Sequence, residues 1–116
     1  MRRDPRAYLW DALSAAEAIQ GFVRERDVAQ YAADALLHSA VERKFEIIGE
    51  ALGQLAKVDT GLSSQVPRLS QIVAFRNVLI HGYAAVNHQT VWNVIHDALP
   101  DLLVSLRRLL AETPDP

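Results

Sequence analysis

The chain is predicted to be all-α, an antiparallel up-and-down bundle of four main helices in one domain over residues 1–116. Three observations predict it. Each long segment spaces its apolar residues three and four apart, no segment alternates apolar and polar residues as a half-buried strand would, and Asp, Asn and Pro stand where helix starts need them. A length of 116 residues suits one domain with a full hydrophobic core, and no internal repeat is visible.

Asp4 can cap the first helix, with Pro5 in its first turn, where a missing N–H costs nothing. This helix should run to about Arg24 and bury Leu9, Ala12, Leu13, Ala16, Ile19 and Val23. Asp27 is a second cap, and the spacing predicts one long helix from Val28 to about Lys57. Its buried stripe is Leu37, Val41, Phe45, Ile48, Leu52 and Leu55, with Arg43, Glu46, Glu50, Gln54 and Lys57 on the opposite face. Residues 58–66 form the main connection, with room for one helical turn, and Pro67 should open the next helix. That helix ends at Gly82, which lacks a Cβ and so can take the left-handed conformation that closes a helix. After a loop from Tyr83 to Val86, Asn87 caps the last helix, with Val91, Ile95, Leu99, Leu102, Leu106 and Leu109 as its stripe. Pro100 removes a backbone bond and crowds the preceding turn, so a kink or short break is expected near Leu99. Thr113 to Pro116 should be a frayed tail.

Composition narrows the function. Half of the residues are hydrophobic and 22% are charged, an ordinary globular balance. Without cysteine there can be no disulfide, thiolate metal site or cysteine nucleophile. The uncharged runs fall short of the ~20 apolar residues that span a bilayer, and the N-terminus leads into an amphipathic helix, so a cytoplasmic protein is expected. A net charge of −2 argues against coating nucleic acid non-specifically, but not against gripping one phosphate.

Site chemistry concentrates in Phe75-Arg76-Asn77-Val78-Leu79-Ile80-His81-Gly82-Tyr83. Asn77 and His81 are four apart and share a helix face, with Arg76 about 100° round from Asn77, so the three can flank one polar patch. Ile72, Phe75 and Leu79 point the other way, into the core. With Ala40-Val41-Glu42-Arg43-Lys44-Phe45-Glu46-Ile47-Ile48-Gly49-Glu50-Ala51-Leu52 before it and Val91-Trp92 after it, the segment resembles the HEPN-domain ribonuclease toxins of the HepT type. That family carries Arg, a polar residue, three variable positions, His, one variable position and Tyr, which Arg76, Asn77, His81 and Tyr83 match in turn. The resemblance implies a metal-independent RNA endonuclease that is the toxin of a toxin-antitoxin pair. It also implies pairing of two protomers around a shared cleft, and silencing by a small nucleotidyltransferase antitoxin that attaches AMP to Tyr83.

The residues support such chemistry on their own terms. Metal-free cleavage of RNA uses the neighbouring 2′-OH as nucleophile, so the protein must move protons and stabilise charge on the phosphate. An imidazole, with a reference pKa of ~6.5, suits proton transfer, and makes His81 the candidate acid or base. Arg76 offers a planar fork for two phosphate oxygens, and Asn77 can orient the imidazole or donate to the phosphate. One His81 cannot readily be both acid and base, but a homodimer supplies two.

Plainer readings exist for each residue. His81 can be a simple helix end, Arg76 can pair with a surface carboxylate such as Glu46 or Glu50, and Tyr83 can pack its ring on the bundle end. The second class of function is a non-catalytic helical partner that binds a nucleotide or docks a small nucleotidyltransferase, using Arg76 for phosphate and Tyr83 for stacking. His38 can pair with Asp34 or Glu42, while His88 and His96 lie in or near the last helix. His81 and His88 have no third ligand at a suitable spacing, so neither a metal site nor a cofactor is expected.

Overall fold

The computed structural model describes residues 3–82 and 86–113, and all regular structure among them is helical. Helix α1 is Pro5–Val23, α2 Val28–Ala33, α3 Ala35–Val58, α4 Thr60–Ser63, α5 Leu69–His81, α6 His88–Asp97 and α7 Leu99–Glu112. None of these helices is long and apolar enough to cross a membrane.

Side-chain caps account for most helix starts. Asp4 Oδ1 accepts from the Arg6 N–H at 2.9 Å, with Pro5 in the first turn as expected. Asp27 and Gln30 form a reciprocal capping box, Gln30 N–H to Asp27 at 2.8 Å and Asp27 N–H to Gln30 at 2.9 Å. Asn87 Oδ1 accepts from the Thr90 N–H at 3.1 Å to start α6. Each carboxylate or amide satisfies an N–H that the helix itself leaves unbonded.

Two boundaries differ from the reading of the sequence, and a third falls beside the break expected near Leu99. The long helix expected from Val28 to Lys57 is two, because Asp34 adopts an extended conformation (φ −105°, ψ 98°) and accepts from the Leu37 N–H at 3.0 Å, starting α3 afresh. That bond, with Arg26 contributing less, holds the Asp34 carboxyl below its ordinary range. Pro67 does not open the next helix but lies in a turn; Arg68 follows in the left-handed region (φ 60°), and α5 begins at Leu69. The connection before it contains the short helix α4, capped by Asp59. The last helical segment is divided at Ala98. Pro100 then falls in the first turn of α7, where its missing N–H leaves no bond unmade, and Leu102 N–H still reaches Ala98 C=O at 3.2 Å.

The apolar stripes meet in one cluster. α1 packs on α3 and α7, α3 packs on α5, and α2 packs on α6. Leu9, Ile19, Phe45, Ile48, Leu52, Leu102 and Leu106 are all fully or almost fully buried in that core. The first and last helices are joined as well: Arg6 Nη1 donates to the carbonyls of Leu110, at 2.7 Å, and of Thr113. What this packing fixes for function is the pairing of α5 with α3, since α5 carries the polar motif.

Candidate active site

Helix α5 is two-faced in the way its sequence requires. Ile72 and Leu79 are buried against the core, and Phe75 is half-buried with its ring edge-on to Phe45, centroids 5.2 Å apart. Asn77 and His81 are exposed, and Arg76 lies between these faces, half-buried. His81 occupies the last turn, and the rise of the helix sets it about 6 Å along the axis from Asn77.

Gly49 brings Arg76 to its place. A Cβ built on Gly49 would come within 2.3 Å of Arg76 Cβ and 2.8 Å of its Cγ, so only a residue without a side chain lets α5 lie this close to α3. The Arg76 stem crosses α3 over that glycine. Its guanidinium emerges beside Glu50, with Nη2 at 3.0 Å from Glu50 Oε2, while Nη1 donates to Asn77 Oδ1 at 3.0 Å. Nε is buried, with no hydrogen-bond partner among the described residues. The structure therefore assembles Arg76, Asn77 and Glu50 directly, with His81 one turn further along the same helix. Asn77, read from the sequence as orienting the imidazole or donating to phosphate, here accepts from Arg76.

Gly82 ends the helix for a different reason from the one expected. Its φ is −106°, not left-handed; a Cβ there would stand 2.8 Å from the Val78 carbonyl oxygen, which accepts the Gly82 N–H at 2.7 Å. Tyr83, the expected modification site, lies outside the described residues.

Two open grooves flank the Arg76–Glu50 pair. One, of about 380 Å³, runs between α1, α3 and α5 past Arg3, Asp11, Arg43 and Glu46; the other, of about 590 Å³, runs between α3 and α5 past Gly53, Lys57, Ser70 and Asn77. In the first groove every cation has a carboxylate partner: Arg3 with Asp11 at 2.7 Å, Arg43 with Glu46 at 3.4 Å and Arg76 with Glu50. Such exposed pairs contribute only about 0–1 kcal/mol each, so Arg76 can leave Glu50 at little cost. The sequence offers Glu50 as a partner for Arg76 but does not announce the role of Gly49. Its signal is a glycine flanking the buried stripe of a long helix, which marks a close approach of another backbone.

A second polar cluster is not apparent from the sequence. His38 pairs with Glu42 at 3.6 Å, one of the two partners expected for it, and His88 joins them from α6. Tyr31 stands beside both imidazoles, and Trp92 packs on Tyr31 at 5.4 Å between ring centroids.

The chain matches a known family over most of its length. The model of the family described as "Ribonuclease HepT-like" matches residues 12–109. A protein of Caldanaerobacter subterraneus subsp. tengcongensis named "Putative RNase TTE0752" is 32% identical over 108 residues, covering 93% of this chain and 96% of its own. "Probable ribonuclease HepT" of Thermococcus cleftensis is 30% identical over 109 residues, 94% of this chain and 98% of its own. "Putative RNase MJ0125" of Methanocaldococcus jannaschii is 27% identical over 111 residues, 96% and 95%. No solved structure gives a significant match.

Proposed function

The chain belongs to the ribonuclease HepT-like family, and from that premise we propose that it is a metal-independent endoribonuclease, the toxin of a toxin-antitoxin pair, with Arg76, Asn77 and His81 as its catalytic residues. One observation carries the assignment of the site: Arg76, held over Gly49 with its guanidinium at the surface, shares α5 with exposed Asn77 and His81. The other charged pairs of the groove contain no imidazole.

In this reading a phosphate of single-stranded RNA displaces Glu50 and is gripped by the Arg76 fork. The 2′-OH attacks phosphorus, the bond from phosphorus to the 5′-oxygen breaks, and a 2′,3′-cyclic phosphate and a 5′-hydroxyl result. One His81 accepts the proton of the 2′-OH and a second donates one to the leaving oxygen. Two copies of His81 require a homodimer. Val78, an apolar residue 59% exposed on the same helix, provides surface beside the motif for a second protomer. The helices would then form an antiparallel bundle of four rods (α1, α2 with α3, α5, and α6 with α7), one domain working in the cytoplasm. Adenylylation of Tyr83 by a nucleotidyltransferase antitoxin would place an anion and a nucleoside near Arg76 and His81, attracting the guanidinium and repelling substrate phosphate.

Cleavage of a defined single-stranded RNA by the purified protein tests the core of this reading. The expected result is a cyclic phosphate product, lost in His81→Ala and in Arg76→Ala. An inactive wild type, or an active His81→Ala, would overturn it. Mass spectrometry after co-expression with the cognate nucleotidyltransferase tests the switch: an adenylate on Tyr83 is expected, and full neutralisation without one would refute it. Light scattering tests the homodimer, which a fully active monomer would contradict.

A further inference from the structure

Three side chains outside the α5 motif converge where α3 meets the start of α6. His38, Glu42 and His88 each present one ligand atom, and these atoms all lie within 4.8 Å of one another. His38 and Glu42 are one turn apart on α3, so the helix sets their spacing. His88 is the first residue of α6 and reaches them because α2 packs on both α3 and α6. The two imidazole rings lie with centroids 4.0 Å apart and planes inclined by 31°.

The polar atoms of this cluster are short of partners. Nδ1 of His38 and Nδ1 of His88 are both buried, and neither has a hydrogen-bond partner among the described residues. The 3.6 Å from His38 Nδ1 to the Glu42 carboxylate is an ion-pair distance, too long for a hydrogen bond. A buried nitrogen without a partner is destabilising, and here two imidazoles each leave one so. A cation bound by both rings and the carboxylate would satisfy all three groups together.

We propose that His38, Glu42 and His88 bind one divalent transition-metal ion of the Zn²⁺ class, which ties the start of α6 to α3. The donor set is two imidazole nitrogens and one carboxylate oxygen, borderline ligands that suit Zn²⁺ far better than Mg²⁺ or Ca²⁺. Ligand atoms about 2.0–2.2 Å from a tetrahedral ion are about 3.4 Å apart, so the 3.6 Å pair already has the needed separation and side-chain rotation brings in the third. Tyr31 stands edge-on to both rings, at 6.2 and 5.9 Å between centroids, and its buried hydroxyl has no partner among the described residues. A phenol hydroxyl is a donor suited to a ligating carboxylate oxygen. The ion takes no part in RNA cleavage. Its effect is to anchor the chain where it enters α6, a few residues after the motif.

The test is a titration of the chelator-treated full chain with Zn²⁺ by calorimetry and with Co²⁺ by visible absorption. One ion per chain is expected, with the d–d bands of a tetrahedral Co²⁺ site and a rise in Tm with Zn²⁺. His38→Gln, Glu42→Gln and His88→Gln are each expected to raise the Kd roughly tenfold or more, while His96→Gln leaves it unchanged. Circular dichroism establishes which variants fold, and any two that fold decide the matter. No binding at millimolar Zn²⁺, half an ion per chain, or fewer than two of the three variants weakening binding would overturn the proposal. Because the readout is affinity, the answer does not depend on whether the chain cleaves RNA.

Discussion

Gly49 and Arg76 touch across α3 and α5 so closely that a Cβ on Gly49 would overlap Arg76 Cβ, at 2.3 Å. The atom it would meet is the root of the arginine side chain, not its mobile end, so the clash can be relieved only by moving the helices apart. Gly49→Ala should therefore destabilise the fold. Replacing glycine within a helix gains about 1 kcal/mol in propensity, but overpacking costs about 1–3 kcal/mol, and the collision of two Cβ atoms belongs at the upper end. We expect a net loss of about 1–2 kcal/mol by urea denaturation and a fall in RNA cleavage larger than that loss explains. An unchanged midpoint would show that α5 can shift freely.

In the proposed mechanism Glu50 competes with substrate for Arg76, to which it is held at 3.0 Å. In Glu50→Gln the competing charge is gone while the size of the side chain is kept. We expect RNA to bind a few-fold more tightly and stability to change by less than about 1 kcal/mol, as for an exposed ion pair. Fluorescence anisotropy with labelled RNA measures the first effect; weaker binding would mean that Glu50 is needed to aim the guanidinium.

His81→Ala should abolish cleavage without loosening the fold, since His81 is exposed in the last turn of α5. Leu52→Ala, at a fully buried position, supplies the contrast, with an expected loss of about 2–5 kcal/mol. EDTA should leave the cleavage rate unchanged. Thermal melts alongside cleavage assays separate the two kinds of loss.

Tyr31 carries an alkaline liability. Its pKa is raised in the folded chain, by burial first and then by the charge of Glu42. The unfolded chain, with an ordinary phenol pKa of about 10, thus loses its proton at lower pH than the native one. The stability Tyr31 contributes is fully present below about pH 10 and falls as pH rises beyond it, by up to about 1.4 kcal/mol per pH unit. Tyr31→Phe should flatten this slope in denaturation curves taken above pH 10. An identical slope in the variant would place its cause elsewhere.

Much of this architecture was legible because it is local. The Asp4–Pro5 start, the stripe of α3 and the cap at Asn87 depend on neighbours a few residues away, and the spacing of Asn77 and His81 on one face follows from the helix alone. The break at Asp34 was hidden by the alanines on both sides, which favour a continuous helix while the carboxylate favours capping a new one. Gly82 was read as a left-handed stop, whereas what excludes a side chain there is the Val78 carbonyl. The meeting of Arg76 with Gly49, and of His88 with His38 and Glu42, depends on how helices approach one another, which periodicity does not encode.

The bonds from Arg6 to the carbonyls of Leu110 and Thr113 place the start of α1 and the end of α7 within the reach of one arginine side chain. The path of the chain is therefore nearly a closed ring. A short flexible linker could join Asp4 to Thr113, and new termini could be opened at the exposed turn around Glu25, far along the chain from Arg76 and His81. In such a circular permutant every helix keeps its neighbours while their order in translation changes, so the order of synthesis could be varied independently of the native contacts.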